Sequence, residues 1–424
     1  MVNTILSAFT VPEIRKKLGI TALLLALYRL GSHIPAPGIN SHAVDSIQKN
    51  LSGNNVLGFL NLFSGGGLSR IALFALGIMP YITASIILQL LTVVVPSLEK
   101  LQKEGEVGTA KITQYTRYLT VGLAFAQSIG YVFLFKSLSS SAGEQVITHF
   151  TLARVFLIVI SLTAGTVLLM WMGELITQRG IGNGISLLIF ASIVTRLPHG
   201  LQAWWTNPDQ VFKVMMPFLA IAVIAAIVFV QEGQRRIPVQ YAKRVIGRRM
   251  TQGGQTYLPL RVNMAGVIPV IFAASIMAFP PTVGQLIHAD WAHSISNFFN
   301  PGGWHYVLGE TIFIILFTYF YTAVTFNPVD QADNLKKYGG FIPGVRPGRP
   351  TAEFLDRILA RLTFPGALFL AAVAALPTIL ISQTSANFFF GGTSILIVIG
   401  VALDTMKQLE AQLMMRNYEG FLKR

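Results

Sequence analysis

Few residues in this chain have the types and spacing that chemistry requires. No helix shows two carboxylates spaced for acid–base work, and no His–Glu–His set is present for a metal. His33, His42, His149, His199, His288, His293 and His305 are scattered rather than clustered. Cysteine is absent, which excludes disulfides, thiolate metal sites and a cysteine nucleophile. Arg179-Gly180-Ile181-Gly182-Asn183-Gly184 has the glycine content of a phosphate loop. It lacks the preceding strand and the Lys-Ser/Thr of such a loop, and it opens an apolar run instead. Asp404 is the main acid inside an apolar run, and Lys407 stands three residues on, within pairing reach on a helix. These residues predict neither enzyme, metal nor cofactor. Apolar side chains remain. Ile78 with Ile82, and Ile185 with Ile189, recur at i and i+4, each pair on one helix face. Such stripes commonly face lipid or a neighbouring helix; several converging on one axis form a hydrophobic constriction that dewets and blocks ions.

The elements that position these residues are membrane spans. The chain has 424 residues, 53% hydrophobic and 12% charged, against about 25% charged in a soluble domain. A bilayer-spanning helix needs about 20 mostly apolar residues. The predicted spans are Leu18–Ile34, Ile71–Val95, Tyr118–Phe135, Val155–Met172, Ile181–Val194, Val214–Val230, Met264–Phe279, Tyr306–Phe326, Phe364–Ile381 and Thr393–Met406. Arg15, Lys16 and Lys17 precede the first, but Ile34–Gly38 does not read as a signal-peptide cleavage site. With ten spans, both termini and most of the 32 Lys and Arg residues share one face, which predicts that face to be cytoplasmic. Trp204, Trp205, Trp291 and Trp304 fall on the other side and suit an interfacial belt.

Two features bear on mechanism. Gly77-Ile78-Met79-Pro80-Tyr81-Ile82-Thr83-Ala84 in the second span is echoed by Gly266-Val267-Ile268-Pro269-Val270-Ile271-Phe272-Ala273 in the seventh. Repeats five spans apart run oppositely through the membrane, the pattern of inverted halves with a site between them. Val56–Leu68 is amphipathic, too short to span and broken by Gly65-Gly66-Gly67. It reads either as a re-entrant helix filling a cavity or as a helix lying in the interface. The basic loops Gln231–Arg261 and Asn327–Thr363 invite ribosomal RNA, an acidic protein surface or anionic lipid. The rival reading, a secondary transporter, expects midplane ionisable groups and compact loops.

Motifs in order along nearly the whole chain carry a resemblance. They are Ile34-Pro-Ala-Pro-Gly38, Phe63-Ser-Gly-Gly-Gly-Leu-Ser-Arg70, Ala75-Leu-Gly-Ile-Met-Pro-Tyr-Ile82, Arg179-Gly-Ile-Gly-Asn-Gly-Ile185 and Val262-Asn-Met-Ala-Gly-Val-Ile-Pro269. Asn327-Pro328 with Ala332-Asp-Asn-Leu-Lys-Lys337, Gly344-Val-Arg-Pro-Gly348 and Phe390-Gly-Gly-Thr-Ser394 complete the set. The chain resembles the SecY-type core subunit of the bacterial Sec protein translocon. The resemblance implies an all-α polytopic membrane protein, with ten transmembrane helices in two inverted halves of five (1–200 and 201–424) and a short re-entrant plug helix. It implies a channel that translocates unfolded polypeptides and releases transmembrane segments laterally into lipid. Matched motif by motif, the pore ring is Ile78, Ile82, Ile185, Ile189, Ile271 and Ile397. The plug spans roughly Val56–Arg70 and includes Leu57, Phe59, Leu60, Leu62, Phe63, Ser64, Gly65, Gly66, Gly67 and Leu68. The lateral gate lies between the second and third spans and the seventh and eighth, with Thr83, Gln127 and Ser275 as polar contacts. Lys243, Arg244, Arg248, Arg249, Arg346 and Arg349 are the docking positions for a SecA-type motor ATPase or the ribosome. SecE-type and SecG-type small membrane subunits, signal-sequence-bearing chains and membrane lipids are the other implied partners. The implied location is the bacterial plasma membrane.

Overall fold

The structure is a computed structural model that describes residues 9, 11–40, 61, 63–142, 146–147, 150–195, 197–206, 210–241, 245–246, 249–250, 255–286, 298–299, 303–384 and 392–422. Its helices are α1 (Pro12–Gly31), α2 (Met79–Val94), α3 (Pro96–Lys103), α4 (Glu106–Ala142), α5 (Leu152–Arg179), α6 (Gly184–Val194), α7 (Leu197–Thr206), α8 (Gln210–Glu232), α9 (Ile268–Leu286), α10 (Trp304–Thr325), α11 (Pro328–Lys337), α12 (Arg349–Thr384) and α13 (Gly392–Leu422). Its strands are β1 (Gln234–Tyr241), β2 (Val245–Ile246), β3 (Arg249–Met250), β4 (Gln255–Arg261) and β5 (Gly340–Phe341).

Each of the ten predicted spans coincides with a helix: α1, α2, α4, α5, α6, α8, α9, α10, α12 and α13. Among the described residues five helical stretches are individually long and apolar enough to cross a bilayer, and α2 with α3 makes a sixth, bent by 99° at Val95. The α6 helix has only 11 residues, about 16 Å at 1.5 Å per residue, half a hydrocarbon core. Large apolar side chains stand exposed on the outer helices, among them Phe218, Ile221 and Phe229 of α8. A belt of this kind needs lipid or a partner to cover it.

The second span differs from expectation. The sequence run Ile71–Val95 predicts one helix, but residues 64–78 are turns and α2 begins only at Met79. Pro80 sits in the first turn of α2, where its missing N–H costs nothing. Upstream, side-chain oxygens take over the helix's role. Ser64 Oγ accepts from Leu68 N at 3.0 Å, and Asn61 Oδ1 accepts from Ser69 N at 3.1 Å. Such local bonds offer the backbone an alternative to a helix.

Helix pairing repeats between the halves. In the first, α2 packs on α4, α4 on α5, α5 on α6, and α1 on both α5 and α6. In the second, α9 packs on α10, α10 on α12, α12 on α13, and α8 on both α12 and α13. The halves meet where α2 and α4 touch α9, and again where α6 touches α13.

The two basic loops are not separate. β1 pairs antiparallel with β4 from Gln234↔Arg261 to Gln240↔Gln255, and its far end pairs with β5. Alternation along β1 turns Ile237 and Val239 inward, onto a core with Leu260, Ile342, Leu355 and Leu359. The strands β1, β4 and β5 and the start of α12 thus form one platform beneath the bundle. Its α12 begins at Arg349, well before the apolar run at Phe364.

Candidate functional site: a sealed waist between two halves

The candidate waist is built from two matching helix starts. Gly77 has φ +60° and Gly266 φ +63°, the left-handed region open to glycine. In each copy the next residue accepts the first helical bonds. Ile78 O takes N–H groups from Tyr81 and Ile82, both at 3.1 Å; Val267 O takes them from Val270 and Ile271, at 3.1 and 3.2 Å. The sequence repeat is therefore a repeat of backbone geometry. It delivers Ile82 and Ile271 to the same slot on α2 and α9, the two helices that meet across the halves.

Ile78, Ile82, Ile189, Ile271 and Ile397 are all buried in one contiguous apolar cluster. Ile185 is half-buried at its margin, with its side chain over Gly173 of α5. None of the six faces the lipid side of the bundle as an exposed residue.

Beside the waist lies the segment between the first and second spans. Leu57, Phe59, Leu60 and Leu62 lie outside the described residues. Phe63, Ser64, Gly65, Gly67 and Leu68 are buried, and Gly66 is half-buried. In this part the expected plug helix gives way to turns from Ser64 onward. Gly66 N donates to Asn61 O at 3.0 Å and Gly67 N to Ser64 O at 3.1 Å. Leu73 N donates to Ile34 O and Ala36 N to Ile71 O, both at 2.9 Å, so Ile34-Pro-Ala-Pro-Gly38 is the strand-like clip on this segment. Irregular backbone at membrane depth needs its polar groups satisfied inside the protein, and these bonds do it. By its place at a span end, Arg29 would face headgroups. Its Nη1 instead donates to Gly65 O at 2.8 Å, and Tyr28 stacks on Phe74 at 6.1 Å.

The three polar gate candidates do not join one another among the described residues. Thr83 Oγ1 donates to Met79 O of its own helix at 3.0 Å. Gln127 is half-buried on α4. Ser275 Oγ donates to Ile271 O at 2.7 Å and reaches Met79 Sδ of α2 at 3.9 Å.

Four ion pairs stand among the described residues, and two of them join different helices. Arg117 Nε and Nη2 clamp the Glu174 carboxylate at 2.9 and 2.6 Å, fastening α4 to α5, a pair that sequence reasoning misses. Lys407 pairs with Glu232 at 2.8 Å rather than with Asp404, because the close approach of α8 brings a carboxylate from another helix. Glu99 and Lys103 pair at 2.7 Å on α3; that hydrogen bond holds the carboxyl below its usual range and the amine above. The glycine-rich run at 179–184 is a helix start. Asn183 Oδ1 accepts from Ile185 N and Ser186 N at 3.1 and 3.3 Å, and Thr21 Oγ1 accepts from Ile181 N at 3.2 Å. Among the described residues no group of His, Asp and Glu could hold a metal.

On the platform, Arg346 and Arg349 are exposed, and Arg349 Nε donates to Glu353 at 3.1 Å. Thr351 Oγ1 donates to the Arg346 carbonyl at 2.8 Å, holding the turn. Arg249 lies in β3, while Lys243, Arg244 and Arg248 lie outside the described residues.

The SecY family model matches residues 72–406. The protein translocase subunit SecY of Streptomyces galbus is 49% identical over 442 residues, covering 100% of both chains. The chain belongs to the SecY family. Solved structures of that fold agree. One is a SecY protein whose plug domain stabilises the closed state of the translocation channel and maintains a membrane seal, with 21% identity, TM-score 0.62, and 94% of this chain and 92% of that chain covered. Another is Sec61 in a canine ribosome–channel complex from the endoplasmic reticulum, with 19% identity, TM-score 0.58 and the same coverage. The SecY-family fold accounts for the expected architecture of ten spans in two inverted halves with a re-entrant plug.

Proposed function

We propose that this chain is the protein-conducting channel of a translocase, passing unfolded polypeptides across the bacterial plasma membrane and releasing transmembrane segments sideways into lipid. The halves are residues 1–200 and 201–424. The carrying observation is the burial of Ile82 and Ile271, in one slot of an inverted repeat, within a single apolar cluster at the junction of the halves. Ile78, Ile185, Ile189 and Ile397 complete the ring. Branched apolar side chains seal around a moving chain because they neither hydrogen-bond it nor support a water wire. The segment from Val56 to Arg70 is the plug, held by Arg29 and by the clip at Ile34–Gly38. The gate opens where α2 and α4 lie against α9, and Ser275 with Met79 is its most direct polar contact. A segment leaves through it when its transfer to lipid is favourable.

The chain is no enzyme and takes no cofactor; a partner drives transport. The platform of β1, β4, β5 and the start of α12 presents Arg346 and Arg349 to a SecA-type motor or the ribosome, and Lys243, Arg244, Arg248 and Arg249 of the Gln231–Arg261 loop are the other docking positions. The Sec61 relative seen on a ribosome supports the second. SecE-type and SecG-type subunits cover part of the apolar belt. Both termini are cytoplasmic, on the face that carries most of the basic residues.

A cysteine at Ile82 tests the reading, since the chain has none of its own. It should cross-link to a preprotein arrested in transit. A cross-link from exposed Phe218 but none from Ile82 would overturn the proposal.

A further inference from the structure

Beneath the second half, at the platform face, a cavity of about 180 Å³ opens between the end of α8, the β4–α9 turn, the end of α10 and α13. That is room for several waters or for a short stretch of peptide. Two of its lining residues each carry a buried polar atom with no partner among the described residues: Gln231 Nε2, a donor, and Asn263 Oδ1, an acceptor. Their residues are 9% and 4% exposed. Buried groups of this kind are normally satisfied, and each left open costs about 1–3 kcal/mol. A ligand that accepts one bond and donates another answers both.

The charges narrow its chemistry. Arg261, Asp404 and Lys407 line the cavity, and Lys407 is held by Glu232. Two cations thus face two carboxylates. The balance favours neither a phosphate nor a metal cation, but a neutral group with one donor and one acceptor. The peptide unit is such a group.

The repeat points the same way. A Cβ on Gly77 would meet Phe63 O at 2.8 Å and Ser64 Cα at 3.1 Å, so the space beside it is filled by main chain of the plug segment. A Cβ on Gly266 would meet only Asp404 Oδ2, at 3.6 Å. One half has main chain beside its repeat glycine, and the other has a polar cavity.

We propose that the cavity beside Gly266 is a main-chain binding pocket that holds a short stretch of the polypeptide in transit. Gln231 donates to its carbonyl and Asn263 accepts from its N–H. The inference rests on the channel reading above, since it takes the moving chain as its ligand.

The test uses membrane vesicles that carry the full chain with its partner subunits, and a preprotein with single cysteines at stepped positions, arrested by a folded domain. Thr325 lines the cavity and is exposed. T325C should form a disulfide with the preprotein over a narrow window of positions. L308C, exposed on the outer part of the same helix, should not. Adding Q231L should lower the T325C yield at least tenfold while cross-linking from I82C persists. The inference fails if T325C gives no more product than L308C, or if Q231L leaves its yield unchanged, while I82C still cross-links. If I82C gives none either, the channel reading falls with it. If Q231L fails to accumulate, the comparison of T325C with L308C decides alone.

Discussion

Arg29 Nη1 donates to the carbonyl of Gly65 at 2.8 Å, linking the last turn of the first span to the first glycine of the run 36 residues away. Gly65 could not be replaced without contact, because a Cβ there would meet Tyr28 Oη at 2.5 Å. One helix end thus reads the plug segment twice: by a charge on its carbonyl and by an aromatic hydroxyl against its bare Cα. On the channel reading proposed above, these contacts make α1 the latch of the closed channel.

Replacing Arg29 by alanine should loosen that latch. A hydrogen bond from a charged donor is worth about 1.5–3 kcal/mol, which is roughly tenfold to a hundredfold in the unseated population. Planar-bilayer recordings should show more frequent spontaneous openings, with R29K closer to the parent than R29A. Parent-like leak in R29A would remove Arg29 from the latch.

The waist predicts a different phenotype. Changing Ile82 and Ile271 together to serine adds hydroxyls to the constriction and lowers the dewetting barrier. Conductance through channels with the plug displaced should rise, and signal-sequence stringency should relax. Each single change should act less than the pair, since both line one seal. Unchanged conductance in the double variant would count against the ring.

Much of this was legible in the chain because lipid imposes simple rules. Ten apolar runs found ten helices, and the repeat around Pro80 and Pro269 recurs as matching backbone at Gly77 and Gly266. What escaped depends on partners far apart in sequence. Hydropathy marks Ile71–Ile78 as apolar, but whether those residues continue a helix is decided by Asn61, Ser64 and the clip at Ile34–Gly38. The sheet that joins the two basic loops needs a pairing between Tyr241 and Gly340 that no local pattern announces. Asp404 and Lys407 are a natural pair at i and i+3, yet Glu232 of another helix takes the lysine.

The Arg117–Glu174 clamp predicts a stability effect. Its side chains are 43% and 14% exposed, so solvent screens one partner while the other is largely buried. Arg117→Ala strands the carboxylate and should cost about 1–3 kcal/mol. Thermal unfolding in detergent should show a lower midpoint for R117A, and E174Q should offset much of the loss. Equal midpoints for parent and R117A would show the pair to be neutral.

Docking is a separate property from folding. Arg346 is exposed, and the fold uses its backbone carbonyl, which accepts from Thr351. Arg346→Glu should leave the protein level unchanged and weaken motor or ribosome binding, with a further loss when Arg248 and Arg249 are reversed. The deficit should narrow as salt rises, because exposed charges are screened beyond about 10 Å at 0.1 M. Full binding by the triple variant would remove the platform from docking.

The repeat glycines can be told apart by one methyl group. Alanine in the left-handed region costs about 1–2 kcal/mol in either copy, because the backbone angles are the same. Beyond that the copies differ. At Gly77 the new methyl would press on the main chain at Phe63 and Ser64, which cannot move without unseating the plug segment; at Gly266 it would find ordinary van der Waals room beside Asp404. G266A should therefore show only the backbone penalty as a modest fall in the unfolding midpoint, with leak unchanged. G77A should lose more stability and also leak, since the cheapest relief for its clash is displacement of the segment that closes the channel. If the two variants behaved alike in both measurements, the plug segment would not be packed against Gly77 in the working membrane.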